Sequence, residues 1–174
     1  MDISTLRALQ APLKERYRAD ASAAHTPLTA SADWRDDGIT TTVEGWAGPV
    51  RAGLHPATGG DGQDACSGDM LLQALLGCAG VTLRSVATAM RLELGDVRLR
   101  AEGYFDARGT LGLDRSVLVG LQDVVVTAEV DTDADDDALA RLAQLTERYC
   151  VVAQTMREAP RFVVSRRSQA MANG

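Results

Sequence analysis

Two cysteines, Cys78 and Cys150, are the residues best suited to chemistry in this 174-residue chain. Cys78 lies in the apolar segment LLQALLGCAGVTL, and Cys150 lies in the segment LTERYCVVAQTM. Free cysteine is among the most often buried residue types, so packing in a core is its ordinary role. Two thiols in one protein can also alternate between the reduced form and a disulfide. These residues by themselves leave core packing and redox chemistry open.

The immediate neighbours of Cys78 favour reactivity over packing. Gly77, Ala79 and Gly80 surround it, although glycine in a helix interior costs about 1 kcal/mol relative to alanine. Small neighbours leave open volume around a sulfur, which reactivity requires and core packing does not. Cys150 follows the polar residues TERY at a predicted helix break. A helix start at that point would lower the pKa of its thiol.

The remaining motifs carry no metal or cofactor signature. Cys66 lies in a loop rich in glycine and aspartate and is interpreted as an exposed, ordinary thiol. The three cysteines and two histidines form no CxxC, HExxH or tetrahedral ligand set. The GGDG segment lacks the spacing and the lysine of a phosphate-binding loop, and DTDADDD lacks the glycine and terminal glutamate of a calcium loop. We therefore predict neither a metal nor a cofactor.

Composition and charge exclude several classes of protein. The formal net charge of −6 argues against nucleic-acid binding, which depends on basic residues that neutralise phosphates. The N-terminal residues contain no apolar segment of signal-peptide length, and Gln73, Arg84 and Arg91 interrupt the longest apolar segment, which rules against a membrane span. Sparse cysteines are typical of a reducing compartment. We expect a cytoplasmic protein without a nucleic-acid or membrane partner.

Hydrophobic periodicity predicts the order α-β-β-α-β-β-α-α-β, which indicates an α+β fold rather than a regular parallel sheet. We expect an N-terminal extension over residues 1–33, comprising a helix and a linker, followed by one domain over residues 34–174. The predicted helices are 3–17 (bent or broken near Pro12), 67–92, and one from about 138 that breaks or bends near 150 and continues to about 158. The predicted strands are 38–48, 49–54, one in DVRLRAEGYFDARG that begins at 96 and ends at a loop near 106–116, and then 117–131 and 161–166.

The central predicted helix, residues 67–92, carries apolar residues on almost every side. Ser67 is the expected N-cap, with Asp69 in the first turn where a negative charge suits the helix dipole. A helix that is apolar all round must be covered all round. We therefore expect a second layer of structure or a partner subunit to cover it.

The two cysteine segments, in this order, resemble the OsmC/Ohr family of proteins that reduce organic hydroperoxides. LLQALLGCAGVTL follows a GG loop, ERYCVVAQTM follows two strands, and a closing strand is expected after EAPRF. The resemblance covers residues 34–166. It implies an α+β intertwined homodimer in which two long central helices pack between antiparallel sheets.

The resemblance also implies a function, that of a thiol-dependent peroxidase for organic hydroperoxides. Cys78 would be the peroxidatic thiol that becomes a sulfenic acid, and Cys150 would be the thiol that resolves it as a disulfide. A dithiol, either a small molecule or a protein, would then reduce the pair.

A sulfur in an apolar pocket needs a nearby cation to exist as a thiolate, and the family supplies an arginine for this. Arg35 is the expected residue, with Arg51 as the alternative. The glutamate that holds this arginine in the family is expected before the GG loop, where this chain reads HPATGG. Glu44, Asp61 or another acidic residue would have to replace it.

Because this chain lacks the family's glutamate before the GG loop, two other functions stay open. One is an OsmC-like dimer without peroxidase activity, which acts as a small-molecule-binding or stress-associated scaffold. The other is a purely structural partner subunit, for which no ordered pocket beside Cys78 is expected.

Overall fold

The structure is a computed structural model that describes residues 2–156. It has an α+β fold in which helices pack against two separate sheets. The helices are α1 (Ile3–Ala19), α2 (Ser67–Met90), α3 (Ala107–Thr110), α4 (Asp136–Tyr149) and α5 (Val151–Thr155). The strands are β1 (Ser31–Asp33), β2 (Thr40–Gly45), β3 (Gly48–Gly53), β4 (Ala65–Cys66), β5 (Val97–Tyr104) and β6 (Gln122–Val130).

The first sheet has the strand order β1-β2-β3-β4. The pairs β1–β2 and β2–β3 are antiparallel, whereas β4 pairs with β3 in parallel over two residues. The turn between β2 and β3 ends at Gly48, whose φ of 114° suits glycine because it has no side chain to clash. The short β4 leads directly into α2, so this sheet fixes where the central helix begins.

The second sheet is the antiparallel hairpin β5–β6, which confirms the predicted pairing. A register shift between Glu102 and Tyr104 interrupts the ladder near its end. The connection contains α3, which begins after Asp106 because that side chain accepts a hydrogen bond from the Arg108 N–H. β6 begins at Gln122 rather than at the predicted residue 117. The five residues VLVGL (117–121) precede the strand and do not join the ladder, although all of them except Gly120 are large and apolar.

The N-cap of the central helix α2 differs from the prediction. Cys66 is the N-cap without a side-chain hydrogen bond, and Ser67 is the first helical residue, so the predicted capping role of Ser67 is wrong. Asp69 lies in the first turn as expected. The helix ends at Arg91, which adopts a left-handed conformation with φ 60° and donates its N–H back into the last turn.

The described chain covers α2 on one side. The buried residues of α2 pack mainly against α4, α5 and β5. The opposite side leaves Leu71 and Val81 exposed, with Val81 at 74%. The expected cover on every side is therefore absent within residues 2–156, because one layer of helices and one hairpin reach only one face. The buried residues of α2 are Leu75, Ala79, Leu83, Val86 and Ala87.

By length and composition alone, α2 could also cross a membrane. One such helix is weak support for a membrane span, since core helices of soluble proteins have the same properties. In this fold α2 packs against three other elements.

Helices α4 and α5 are separated at Cys150. The Asp135 side chain accepts a hydrogen bond from the Ala138 N–H at 2.8 Å and so caps α4, which begins two residues before the predicted start. Cys150 has φ −73° and ψ 105°, outside the helical region, and α5 starts at the next residue. The predicted break at Cys150 is confirmed.

The N-terminal residues bear on the prediction in two ways. α1 continues through Pro12, so the helix is not broken there, and of the two predicted outcomes (a break or a bend) the break is excluded. The predicted linker contains a short 3-10 helix (Ala21–Ala24) and β1, which pairs with β2. The last three residues of the predicted extension therefore belong to the first sheet. The predicted strand 161–166 lies outside the described residues.

Candidate functional site

The packing of α5 against α2 brings Cys78 and Cys150 together. Cys78 lies in the middle of α2, and Cys150 lies at the junction of α4 and α5. Cys78 packs against the buried cluster that contains Cys150, both cysteines are free thiols, and each is a cause of the other's shifted pKa. Residues that are far apart in sequence thus form one dithiol site.

The two thiols differ in accessibility. Cys150 is only 1% exposed and packs with Leu75 and Ala79 in a buried cluster. Cys78 is half-buried at the edge of the same cluster. An incoming substrate can therefore reach the sulfur of Cys78 more readily than that of Cys150.

Hydrogen-bond donors converge on the Cys78 sulfur and lower the pKa of its thiol. The main-chain N–H of Val152 is the largest cause, and burial opposes it. The thiol of Cys150, the N–H of Val151 and the hydroxyl of Thr82 lower the pKa further. Each donor stabilises the charged thiolate relative to the neutral thiol.

The break at Cys150 explains why these N–H groups are available. The first N–H groups of a helix have no partner within that helix. Val151 and Val152 begin α5, which packs against α2, and their N–H groups are among the causes that lower the pKa of the Cys78 thiol. A continuous helix through Cys150 would direct the same groups to its own carbonyls.

The pKa of the Cys150 thiol is shifted in the opposite direction. Burial raises this pKa most, and the neighbouring Cys78 sulfur raises it further, whereas the Ala153 N–H lowers it. Cys78 therefore loses its proton first, while Cys150 stays a thiol that can donate a hydrogen bond to the Cys78 thiolate.

Arg35, the predicted activating cation, lies in the connection between β1 and β2 of the first sheet. Its guanidinium forms an ion pair with Glu44 and lies 3.9 Å from an Asp33 carboxylate oxygen. The acidic partner anticipated for Arg35 is thus Glu44. Within residues 2–156, no arginine is among the groups that shift the pKa of Cys78. The activating role of Arg35 stays a prediction.

Arg51, the alternative cation, also binds carboxylates. Its Nε lies 3.0 Å from an Asp64 oxygen and 3.4 Å from an Asp36 oxygen. These contacts join the first sheet to the loops on either side of it. Like Arg35, Arg51 is paired with carboxylates in the described chain.

A cavity of about 780 Å³ lies between the β5–β6 hairpin and the α4–α5 helices. Its wall is mostly apolar and includes Cys150, whereas Cys78 does not line it. Thr146 also lines it, and the Thr146 hydroxyl has no hydrogen-bond partner among the residues the structure describes. A cavity of this volume is within the range that holds small molecules.

Cys66 is separate from the dithiol site. It precedes α2, twelve residues before Cys78, a distance of about 18 Å along a helix. The structure contains no group of three or more metal-ligating side chains within residues 2–156. The prediction that the protein binds no metal stays a prediction.

Two groups at the site, Thr82 and the Val152 N–H, were not found from the sequence. Thr82 follows Cys78 by four residues on the predicted helix, a spacing that places both on one face, so a signal for it was present. The Val152 N–H had no comparable signal, because its role depends on how α5 packs against α2.

Residues 60–165 match the family described as OsmC-like protein. No curated protein sequence matches the chain.

Several solved structures share the fold. An OsmC-like protein from Mycoplasma pneumoniae has a TM-score of 0.62 and 14% identity, over 76% of this chain and 88% of that chain. An organic hydroperoxide resistance protein from Elizabethkingia anophelis has a TM-score of 0.62 and 14% identity, over 77% of this chain and 90% of that one. An organic hydroperoxide resistance protein from Legionella pneumophila, also named OsmC and a predicted redox protein, has a TM-score of 0.59 and 19% identity. The match covers 77% of this chain and 91% of that chain. At these identities the similarity concerns the fold.

Proposed function

The chain belongs to the OsmC-like protein family, and from that premise we propose that it is a thiol-dependent peroxidase that reduces organic hydroperoxides to alcohols. The observation that carries the proposal is the contact between two free thiols whose pKa values are shifted in opposite directions. The names of two similar structures, both organic hydroperoxide resistance proteins, support it. The protein would act in the reducing cytoplasm.

The first step is an attack by the Cys78 thiolate on the terminal oxygen of the hydroperoxide. An S–O bond forms and the O–O bond breaks, and the electron pair leaves with the alkoxide. The alkoxide takes a proton from solvent and becomes the alcohol. Cys78 is oxidised to a sulfenic acid, and the peroxide is reduced.

The second step uses the neighbouring Cys150. Its sulfur attacks the sulfur of the Cys78 sulfenic acid, so an S–S bond forms and the S–O bond breaks. The departing hydroxide and the proton of the Cys150 thiol form water. The contact between the two side chains favours this step over further oxidation of Cys78.

The cycle closes when an external dithiol reduces the Cys78–Cys150 disulfide. Two thiol–disulfide exchanges restore both protein thiols and leave the dithiol oxidised to its own disulfide. The reductant is proposed only by chemical class, as a small-molecule or protein dithiol.

We also propose that the protein works as an intertwined homodimer. The exposed apolar face of α2, which includes Leu71 and Val81, supports a second copy as its cover.

A second candidate function is that of a small-molecule-binding scaffold without peroxidase activity. It is favoured because Arg35 and Arg51 are paired with carboxylates, and because a large apolar cavity adjoins Cys150. In that case the wild-type protein binds an apolar ligand but does not consume hydroperoxide.

Stopped-flow consumption of cumene hydroperoxide in the presence of a dithiol tests the peroxidase. Wild type should turn over, Cys78→Ser should abolish turnover, and Cys66→Ser is the matched control that should retain it. Unchanged turnover in Cys78→Ser would refute the proposal, and absence of turnover in wild type would favour the scaffold.

A further inference from the structure

We propose that the cavity beside Cys150 is a binding site for a small, uncharged aliphatic molecule whose single hydroxyl group forms a hydrogen bond with the hydroxyl of Thr146. The site is separate from the proposed peroxide site, because Cys150 lines the cavity and Cys78 does not. The proposal therefore does not depend on whether the protein is a peroxidase.

The wall of the cavity suits an alkyl chain. Its volume of about 780 Å³ lies within the range of sites for small molecules. An alkyl chain that enters leaves water for an apolar surface, and this transfer is favourable. The apolar residues of the wall come from α2, α4 and the β5–β6 hairpin, and include Leu75, Leu83, Leu99, Val124, Val126 and Leu142.

One polar group on this wall lacks a partner. Thr146 lines the cavity and is 9% exposed, and its hydroxyl has no hydrogen-bond partner within residues 2–156. A buried hydroxyl without a partner costs free energy, and a ligand that pairs with it removes that cost. The cavity thus combines a mostly apolar volume with one polar anchor, as sites for small molecules usually do.

Two other helical threonines show that this arrangement is not the ordinary one. The Thr88 hydroxyl donates to the carbonyl oxygen of Arg84, and the Thr155 hydroxyl donates to that of Val151, each at 2.8 Å and four residues earlier. This is the usual local bond of a threonine within a helix. Thr146 lies within the regular helix α4 but makes no such bond, so its hydroxyl is left for a ligand in the cavity.

The composition of the wall favours an uncharged ligand. Among the residues that line the cavity in the described chain, there is no lysine, arginine or histidine, and the acidic residue Glu147 is exposed. An ion that enters an apolar cavity loses its hydration, which costs far more free energy than the burial of a hydroxyl. The hydroxyl of an alcohol can both donate to Thr146 and accept from it, so an alcohol fits better than a carboxylate.

The test measures binding of 1-octanol and of octanoate to the full-length protein by isothermal titration calorimetry at pH 7. Both probes carry an eight-carbon chain, and octanoate is an anion at this pH. The variant Thr146→Val keeps the shape of threonine but removes the hydroxyl, whereas Thr146→Ser keeps the hydroxyl. Thr88→Val is the matched control, because Thr88 is a helical threonine that does not line the cavity.

Wild type should bind 1-octanol more tightly than octanoate. Thr146→Val should weaken the binding of 1-octanol about two- to tenfold, as expected for the loss of one hydrogen bond. Thr146→Ser and Thr88→Val should bind as wild type does. Ala143→Phe, which fills the cavity from an exposed position on α4, should abolish binding, and thermal unfolding shows whether each variant keeps the fold.

Without ligand, Thr146→Val should unfold at the same temperature as wild type or at a higher one, because it removes an unpaired buried hydroxyl. A lower unfolding temperature would overturn the proposal, since the hydroxyl would then have a partner within the chain itself. Failure of wild type to bind 1-octanol would also overturn it, as would equal weakening in Thr88→Val. A protein that binds 1-octanol but does not consume hydroperoxide supports this site and refutes the peroxidase.

Discussion

At the scale of residues, the two cysteines differ because their surroundings differ. Cys78 is half-buried and receives N–H donors from α5, which lower the pKa of its thiol. Cys150 is almost fully buried, and burial raises the pKa of its thiol. One site therefore contains a thiol that ionises more readily and a thiol that ionises less readily, which supports Cys78 as the proposed nucleophile.

The lowered pKa of Cys78 predicts how its reactivity depends on pH. Only the thiolate reacts, so alkylation by iodoacetamide should accelerate as pH rises through the Cys78 pKa and then level off. The midpoint should fall below that of a cysteine in a short peptide, which is about 8.5. Mass spectrometry of the Cys78 peptide across a pH series measures it, and a midpoint at or above the peptide value contradicts the assignment.

The Cys150→Ser variant should separate the first step from recycling. Cys78 should still consume one equivalent of cumene hydroperoxide and gain one oxygen atom, whereas repeated turnover with a dithiol should fail. When the dithiol is left out, a second oxidation should follow, because the variant has no neighbouring protein thiol to remove the sulfenic acid. Intact-protein mass spectrometry resolves these states. Full multiple turnover in this variant would exclude Cys150 as the resolving thiol, and Cys66→Ser is the control.

At the scale of elements, the site depends on how α2 holds the α4–α5 pair. Leu142 of α4 packs with Leu83 and Val86 of α2 in one buried cluster, while Cys150 packs with Leu75 in the next. These clusters set the position of the α4–α5 break over Cys78. Burial of each such aliphatic side chain stabilises the folded state by about 1.5–3 kcal/mol relative to leaving it exposed.

Removing one of these contacts should weaken the whole fold. Leu142 is 3% exposed, so Leu142→Ala should lower the free energy of unfolding by about 2–5 kcal/mol, through lost burial and the cavity left behind. Urea denaturation followed by circular dichroism measures this. Arg141→Ala, an exposed neighbour on α4, should stay within about 0.5 kcal/mol of wild type. Equal losses in both variants would contradict the packing argument.

At the scale of the whole molecule, large apolar side chains remain exposed on the described chain. Trp34 and Trp46 on the first sheet side are almost completely exposed, and Val81 on α2 is 74% exposed. Where such side chains form a contiguous apolar surface, they mark a site of protein association. A second copy of the chain is the cover that the family resemblance implies.

We expect the protein to sediment as a dimer at micromolar concentration. Val81→Asp places a charge in the proposed interface and should shift the population toward monomer, whereas Ala140→Asp on the exposed face of α4 should not. Analytical ultracentrifugation over a concentration series tests this. A wild-type protein that stays monomeric throughout would exclude the dimer.

Local patterns in the sequence were sufficient for much of the architecture. The apolar run of α2, the alternation in β5 and β6, and the polar residues before Cys150 predicted a long helix, a hairpin and a helix break. These features depend on contacts between near neighbours in the chain. The exact N-cap of α2 was not predicted, because small differences in free energy decide at which residue a helix begins. The sequence also left open whether α1 breaks or bends at Pro12, and the structure excludes the break.

The sequence by itself therefore determined the family, the elements and the identity of two candidate thiols. Only the tertiary structure decided that Cys78 and Cys150 touch and that α5 directs its N–H groups at Cys78. It also decided that burial raises the pKa of one thiol and not the other, and that Arg35 pairs with Glu44. The physical reason is that pKa shifts and hydrogen-bond partners depend on residues that meet across the fold, far apart in the chain.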